Sequence, residues 1–561
     1  MLIVNNPLVA DALIEDYSTG KLRVANIMTH EETGIAAYNK QNVHYAETEN
    51  LAKDLNVEKI AEFFGCKTVI GQSFLTETLK FPVTSEDHGS ILTNRQNIIK
   101  LLVENPQLKS EIDALLVQAQ YDEQEVIKLM SEFFMGQTCP ELVQLETIKK
   151  QNPRMYPFFN FLVTNPTART LSTGFNLFGM ATSLGFAAFF GNIAYQCSKL
   201  GFDYTEPALS FTNFTILLGV GIYTNYQDYS MSSKKRVKMH SLNQLINSAE
   251  KIERLCSEHG VKNQFNISEV KDAEGVELIE GLKAKRYKDK GTMAFLTPLV
   301  HTFLYKMYQQ EKHLAKIFAC VAEMDAYNAI ATKIIESHNE KNKLCFVTFL
   351  ENEKPTIAAQ SFWNVLVPNA VSNSISENRQ VILTGPNAGG KTTTIRALLQ
   401  NIVLGQSFGV AAAEHFEFTT FDVIHSYLNI SDDLLNGLSL FASEIKRAQD
   451  VLKKIKALEP HKKFFFALDE LFTGTVAEDG ETCAYNFIEK IAAFNNIQFI
   501  YATHFAKLKE LGNNTDTCVN YKVDAPTKNS DGKLVYPYTL SQGASDARVA
   551  LDLAKEADLF A

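Results

Sequence analysis

The chain has no C-x-x-C pair and no Cys/His cluster at metal-ligand spacing. Its eight cysteines (Cys66, Cys139, Cys197, Cys256, Cys320, Cys345, Cys483 and Cys518) are scattered, which argues against a zinc site or a disulfide framework and for reduced thiols in a cytosolic setting. A basic excess is also missing: 54 Lys and Arg face 64 Asp and Glu, a net charge of −10. A globally basic nucleic-acid binder is thereby excluded, although a local basic patch is not. There is no internal repeat and no low-complexity linker, and hydrophobic residues at 45% with charged residues at 21% describe folded protein, not disorder or a fibre. The first stretch, MLIVNNPLVADALIEDYSTG, lacks a basic n-region and a long apolar h-region, so a secretory signal is not expected. At roughly 150 residues per domain, the length predicts about three or four units.

Charge is absent altogether from Thr170 to Ser198, and again from Pro207 to Gln227. As helices, both runs approach or exceed the roughly 20 residues that cross a hydrocarbon core. The connector holds Lys199, Asp203 and Glu206, whereas Arg154 and Arg169 precede the pair and Lys234, Lys235, Arg236 and Lys238 follow it. Length and flanking charge predict a transmembrane hairpin at 170–198 and 207–227, with both flanking regions cytoplasmic and the protein anchored to a membrane. A buried hairpin in a soluble domain is the alternative, because Gly174, Gly179, Gly185, Gly191, Asn176, Asn192 and Asn213 dilute the hydrophobicity; small residues suit close helix packing in either setting. Around this segment the period is helical. Apolar positions recur every three or four residues over 57–130 and again over 230–340, while Pro153, Pro157 and Pro166 mark breaks.

Near Asn342 the texture changes to short β-rich runs alternating with helices, which predicts a parallel α/β sheet. In VILTGPNAGGKTTTIRALLQ a β-branched strand leads into Gly385, Pro386, Asn387, Ala388, Gly389 and Gly390, and a helix opens with Lys391, Thr392 and Thr393. This satisfies G-x-x-x-x-G-K-[ST] in its strand–loop–helix context. Glycines are required there because backbone N–H groups must turn inward onto phosphate oxygens at a helix N-terminus. Lys391 is expected to reach the β and γ phosphates of ATP, and Thr392 to ligate Mg2+. The buried strand in FFFALDEL delivers Asp469 and Glu470, suited to orienting the metal and polarising the attacking water. A third apolar strand, IQFIYATHF, ends at Thr503 and His504, where the imidazole would position water and the γ phosphate. Between them, Gly437-Leu438-Ser439 opens an amphipathic helix; Ser439 is able to cap that helix or to face phosphate.

TGPNAGGKTTT, DDLLNGLSLFASE, LDELFTGT and ATHF, in this order and spacing, resemble the ATPase domain of the MutS mismatch-repair family. YPYTLSQGASDARVALDLAKEAD is similar to the family segment that precedes its final helix, and GQSFLTETLKFPVTSEDHGSILTNRQNIIKLLVENPQL resembles the start of its helical core. The resemblance implies a short N-terminal segment at 1–56, a helical lever region at 57–341 and a P-loop ATPase domain of the ABC type at 342–561. It also implies a homodimer sandwiching two ATP molecules, with Ser439 completing the partner's site, Asn387 touching nucleotide, and double-stranded DNA as a partner. There are departures as well. Only some fifty residues precede the core-like region, leaving no room for mismatch-binding and connector domains, and those residues hold no F-x-E reading motif. The chain ends where the family continues into a helix-turn-helix, and the apolar hairpin sits near the place of a DNA-gripping clamp. Two functions follow as expectations: a MutS-like ATPase related to DNA mismatch repair, or a membrane-anchored ATPase doing mechanochemical or scaffolding work on a non-DNA partner.

Overall fold

A computed structural model describes residues 47–84, 88–134, 238–271, 273–283, 311–428, 440–530 and 533–547, with Tyr195, Lys199 and Val549. The sequence from Cys345 onward, joined by β1 from the first half, forms a seven-stranded sheet, and it alone forms three smaller ones. In chain order the elements that matter are β1 (Glu47–Glu49), α1 (Leu51–Leu55), α2 (Val57–Phe64), α3 (Val69–Lys80), α4 (Thr93–Glu104) and α5 (Pro106–Phe134). After these come α6 (238–258), α7 (Ala273–Lys283) and α8 (Glu311–Ser337). The second half holds β2 (Cys345–Phe346), β3 (Thr348–Phe349), β4 (Ile357–Phe362), β5 (Asn373–Glu377), β6 (Gln380–Thr384), α9 (Lys391–Phe408), β7 (Val410–Ala411), β8 (His415–Phe418) and β9 (Val423–Tyr427). It continues with α10 (Leu440–Ala457), β10 (Phe464–Asp469), α11 (Ala477–Ala492), β11 (Ile497–Ala502), α12 (Leu508–Asn514), β12 (Cys518–Val523), β13 (Thr527–Lys528), β14 (Leu534–Val535) and β15 (Leu540–Gln542).

The large sheet runs in the order β1-β9-β10-β11-β6-β12-β15, and only β15 is antiparallel to its neighbour. Its central strands read as unbroken apolar runs because both faces are covered, and side chains alternate between two cores. Phe465 and Ala467 of β10, Ile500 and Ala502 of β11, and Val381 and Leu383 of β6 face the core shared with α9 and the helices of the first half. Phe464, Phe466, Leu468, Phe499, Tyr501 and Ile382 face the other core, closed by α10, α11 and α12. A one-residue slip would exchange the two sets, so register is strongly specified. A second, four-stranded sheet in the order β3-β8-β4-β5 was not anticipated from the β-rich texture, and the loop that joins its β4 and β5 forms one wall of the cavity described below. The strand expected near Asn342 is split into the short β2 and β3.

The described part of the expected helical region forms α2 to α8, and buried carboxylates bind it together. Glu123 on α5 accepts the N–H groups of Val69 (2.9 Å) and Ile70 (2.8 Å), and Asp325 on α8 accepts those of Lys67 (3.1 Å) and Thr68 (2.7 Å). The start of α3, whose first N–H groups have no intrahelical partner, is thus satisfied from two other helices. Segments 47–55 and 342 onward share one sheet, since β1 pairs with β9 and Asp54 accepts the N–H of Leu428 at 3.1 Å. The expected transmembrane hairpin at 170–198 and 207–227 lies outside the described residues, apart from Tyr195 and Lys199. Among the described residues no helix is long and apolar enough to cross a membrane. The expected membrane anchoring is thus not supported by the described helices, the long ones among which, α5 and α8, carry charge along their length.

Candidate nucleotide site

The sheet order places three strand ends side by side, β10-β11-β6. Asp469 is level with Ala502 and Ala502 with Leu383. The pairing runs one step further, because Glu470 N–H donates to Ala502 O and Thr503 N–H to Leu383 O, each at 3.0 Å. The loop after β6, the carboxylates after β10 and His504 after β11 consequently meet at the C-terminal edge of a parallel sheet, where α/β proteins bind ligands.

The loop from Gly385 to Gly390 wraps the start of α9. Gly390 caps that helix at φ 99°, and a Cβ there would stand 3.1 Å from the Tyr538 ring, so glycine is needed on both counts. Gly389 closes the loop by donating to Pro386 O at 3.1 Å, while Asn387 and Ala388 are exposed on its outer side. Lys391 is buried, with Nζ 3.3 Å from Gly385 O and 3.5 Å from Pro386 O. Its ammonium also lies 2.9 Å from His504 Nε2 and 3.6 Å from Glu470 Oε1, and His504 Nε2 is 2.8 Å from the same carboxylate oxygen. Nε2 is either a donor or an acceptor, so the His504 contacts to Lys391 and Glu470 are alternatives chosen by tautomer and charge.

Burial pulls the Lys391 ammonium below the usual lysine range, with Glu470 and Asp469 opposing. Glu470 is held below the usual carboxylate range by the hydrogen bond from His504, against burial, with Lys391 assisting. Asp469 moves the other way: burial pushes it up, the Thr392 hydroxyl pulls down and Glu470 adds repulsion. Thr392 Oγ1 donates to Asp469 Oδ2, whereas Asp469 Oδ1 is buried with no hydrogen-bond partner. An orphaned buried carboxylate oxygen beside a threonine hydroxyl fits a hard cation with oxygen ligands such as Mg2+. Among the described residues no group of three or more His, Cys, Asp or Glu gathers to hold a metal.

A cavity of about 620 Å3 opens over the loop, lined on one side by Pro386–Thr394 residues and Glu470, and on the other by Asn364, Val367–Val371, Asn373 and Tyr538. The second wall was missed from sequence. Its parts are far apart in the chain, and one residue joins them: Asn373 donates to Tyr538 O at 3.2 Å and accepts the N–H of Leu540 at 2.6 Å. Glu444, the last residue of the motif DDLLNGLSLFASE, has no local sequence signal of a role; it is fully buried and accepts the N–H groups of Thr473 and Gly474. Of the sequence-derived site residues, Gly385 to Thr393, Asp469, Glu470 and His504 gather at this edge. Ser439 lies outside the described residues, although α10 begins directly after it, as the helical pattern predicted.

A glycine loop between a central strand and a helix, with paired carboxylates on a strand two places away in the sheet, defines the P-loop class of phosphate-binding α/β domains. Within that class, residues 381–560 match the family MutS domain V. The DNA mismatch repair protein MutS of Streptococcus pyogenes serotype M1 is 28% identical over 260 residues, which is 46% of this chain and 29% of that protein. MutS of Streptococcus pyogenes serotype M5 (strain Manfredo) is 27% identical over the same length and shares. The C-terminal half of the chain is MutS-like, and the match spans less than a third of these relatives.

Proposed function

We propose that the protein binds and hydrolyses Mg-ATP in the cavity over the Gly385–Thr393 loop, and that the reaction serves a MutS-like, mismatch-repair-related activity on DNA. The observation that carries this reading is the convergence of Lys391, Thr392, Asp469, Glu470 and His504 at three adjacent strand ends. The loop amides and the start of α9 hold the β and γ phosphates, and Lys391 leaves its resting contacts with Gly385 O and Pro386 O to neutralise them. Thr392 and Asp469 would hold Mg2+, which supplies charge neutralisation on the phosphates when bound. Glu470, kept ionised, accepts a proton from the attacking water, and His504 orients water and γ phosphate. The base and sugar occupy the outer part of the cavity, with Tyr538 as a stacking face beside Gly390.

In this reading the active form is a homodimer, with Ser439 of each subunit reaching the other's nucleotide, and the helices of the first half pass nucleotide state to double-stranded DNA. The relatives' name supports the DNA assignment. The test is nucleotide binding and turnover by the full chain beside Lys391→Ala and Glu470→Gln. Glu470→Gln should bind ATP yet lose roughly 10²-fold or more in kcat, while Lys391→Ala should lose binding. Unchanged turnover in Glu470→Gln would refute the assignment, and DNA binding that ignores both ATP and salt would refute the DNA part.

A further inference from the structure

We infer that Glu444 is a positioning residue for ATP hydrolysis, setting the direction of Glu470 through the turn that follows β10; this rests on the ATPase reading above. The turn is bent through two left-handed residues that are not glycine, Glu470 at φ 54° and Phe472 at φ 70°. Side chains avoid that region, so such a backbone persists only where its surroundings over-determine it. Four ties do so. Glu470 N–H donates to Ala502 O at 3.0 Å and Tyr501 hydroxyl to Leu471 O at 2.9 Å. The other two come from one carboxylate: Glu444 Oε1 accepts Thr473 N–H at 3.0 Å and Oε2 accepts Gly474 N–H at 3.1 Å.

The path from Glu444 to Glu470 is short. The Thr473 hydroxyl stands 3.3 Å from Glu444 Oε1 and 3.2 Å from Glu470 O, so its single hydrogen is shared between the clasp and the backbone of the expected base, or given to one of them. The turn is also pressed onto the first turn of α10: a Cβ on Gly474 would lie 2.8 Å from Phe441 N and 3.0 Å from Leu440 Cγ. Glu444 is fully buried, so its hydrogen bonds to the turn are made away from water. It touches neither cavity nor loop, and it is not among the cavity's lining residues. Its effect on chemistry therefore passes through residues 470–474, and any displacement of α10 is delivered to Glu470.

The variant Glu444→Gln keeps the shape but sets an NH2 against one of the two N–H donors. In the full chain it should lower kcat by at least about tenfold, because small misplacements of catalytic groups are costly, while KM and the Kd for ADP stay within about twofold. Combined with Glu470→Gln it should add no further loss, since the two residues act as one unit. Should Glu444→Gln lose its ADP binding and thermal transition, Gly474→Ala carries the same test. The added methyl presses on the first turn of α10 and, at 3.1 Å, on Glu444 Oε2, so it loosens the clasp without removing the Glu444 carboxylate, and the same fall in kcat is expected. An unchanged kcat, a matching rise in KM, or independent losses in the double variant would overturn the positioning role, even with Glu470→Gln inactive. Absence of hydrolysis in the unaltered chain would instead overturn the ATPase reading on which it rests.

Discussion

Lys391 and Asp469 are displaced from their ordinary titration ranges in opposite directions by the same cause, burial at the mouth of the loop. Both are held closer to neutrality than free side chains, so bound phosphate and a cation would restore to each the charge that burial opposes. Gly390 shows how little room that arrangement leaves. Alanine there would have to adopt φ 99° and would press its Cβ to 3.1 Å from Tyr538. Gly390→Ala should destabilise the fold by about 1–3 kcal/mol and weaken ATP binding together. Urea unfolding with and without nucleotide checks this, and a variant with unchanged midpoint and affinity would show that the loop tolerates a side chain.

At the scale of elements, α9 is a strut 18 residues long, about 27 Å, with the phosphate loop at one end and the helical region bolted to the other. Gln406 Nε2 donates to Val83 O at 2.7 Å and Phe421 O at 2.9 Å, while its Oε1 accepts Phe421 N–H at 2.9 Å. Arg95 donates to Ser407 O at 2.7 Å, and Gln96 to Gly409 O and Val347 O at 2.8 Å each. Gly409 ends the helix at φ 70°, with Gln96 packed where its Cβ would be. Gln406→Ala strands three buried backbone groups and should cost about 3 kcal/mol. A urea midpoint shift with unchanged m-value is the expected result, and a shift below about 0.5 kcal/mol would mean that these bonds are replaceable.

For the whole molecule, the buried carboxylates of the helical region govern how stability varies with pH. Burial raises Glu123 to about 7 and Glu323 to about 6, in spite of hydrogen bonds from the backbone. The folded chain holds protons that the unfolded chain releases above about 4.5. Their contribution is therefore fully present below that value and lost as pH rises to about 7. Asp113 acts oppositely and elsewhere. Burial is outweighed by hydrogen bonds from Lys109, Lys67 and Asn328, which bring it to about 2, so its stability is lost only in strong acid. The thermal midpoint should fall between about pH 5 and about pH 7.5, and Glu123→Gln should flatten that slope. An equal slope in the variant would remove Glu123 from the account.

Much of the site was legible because it is local. Gly385 to Thr393 needs a particular loop between a strand and a helix, and Asp469, Glu470 and His504 follow apolar runs that both faces of a sheet bury. Backbone sterics and hydrophobic alternation act over a few residues, and so they are written in order along the chain. The sequence by itself determined that a glycine-rich loop lies between a strand and a helix, that Asp469 and Glu470 end an apolar strand, and that helices precede an α/β sheet. Only tertiary structure decided which strand ends are neighbours, that Asn373 and Tyr538 complete the cavity, and that Glu444 clasps the turn after Glu470. It also decided that residues 47–55 join the sheet of the second half. Those pairings join residues from 29 positions apart, Glu444 with Thr473, to 376 apart, Glu47 with Val423, and contacts at such separations depend on how whole elements pack, which no local pattern records.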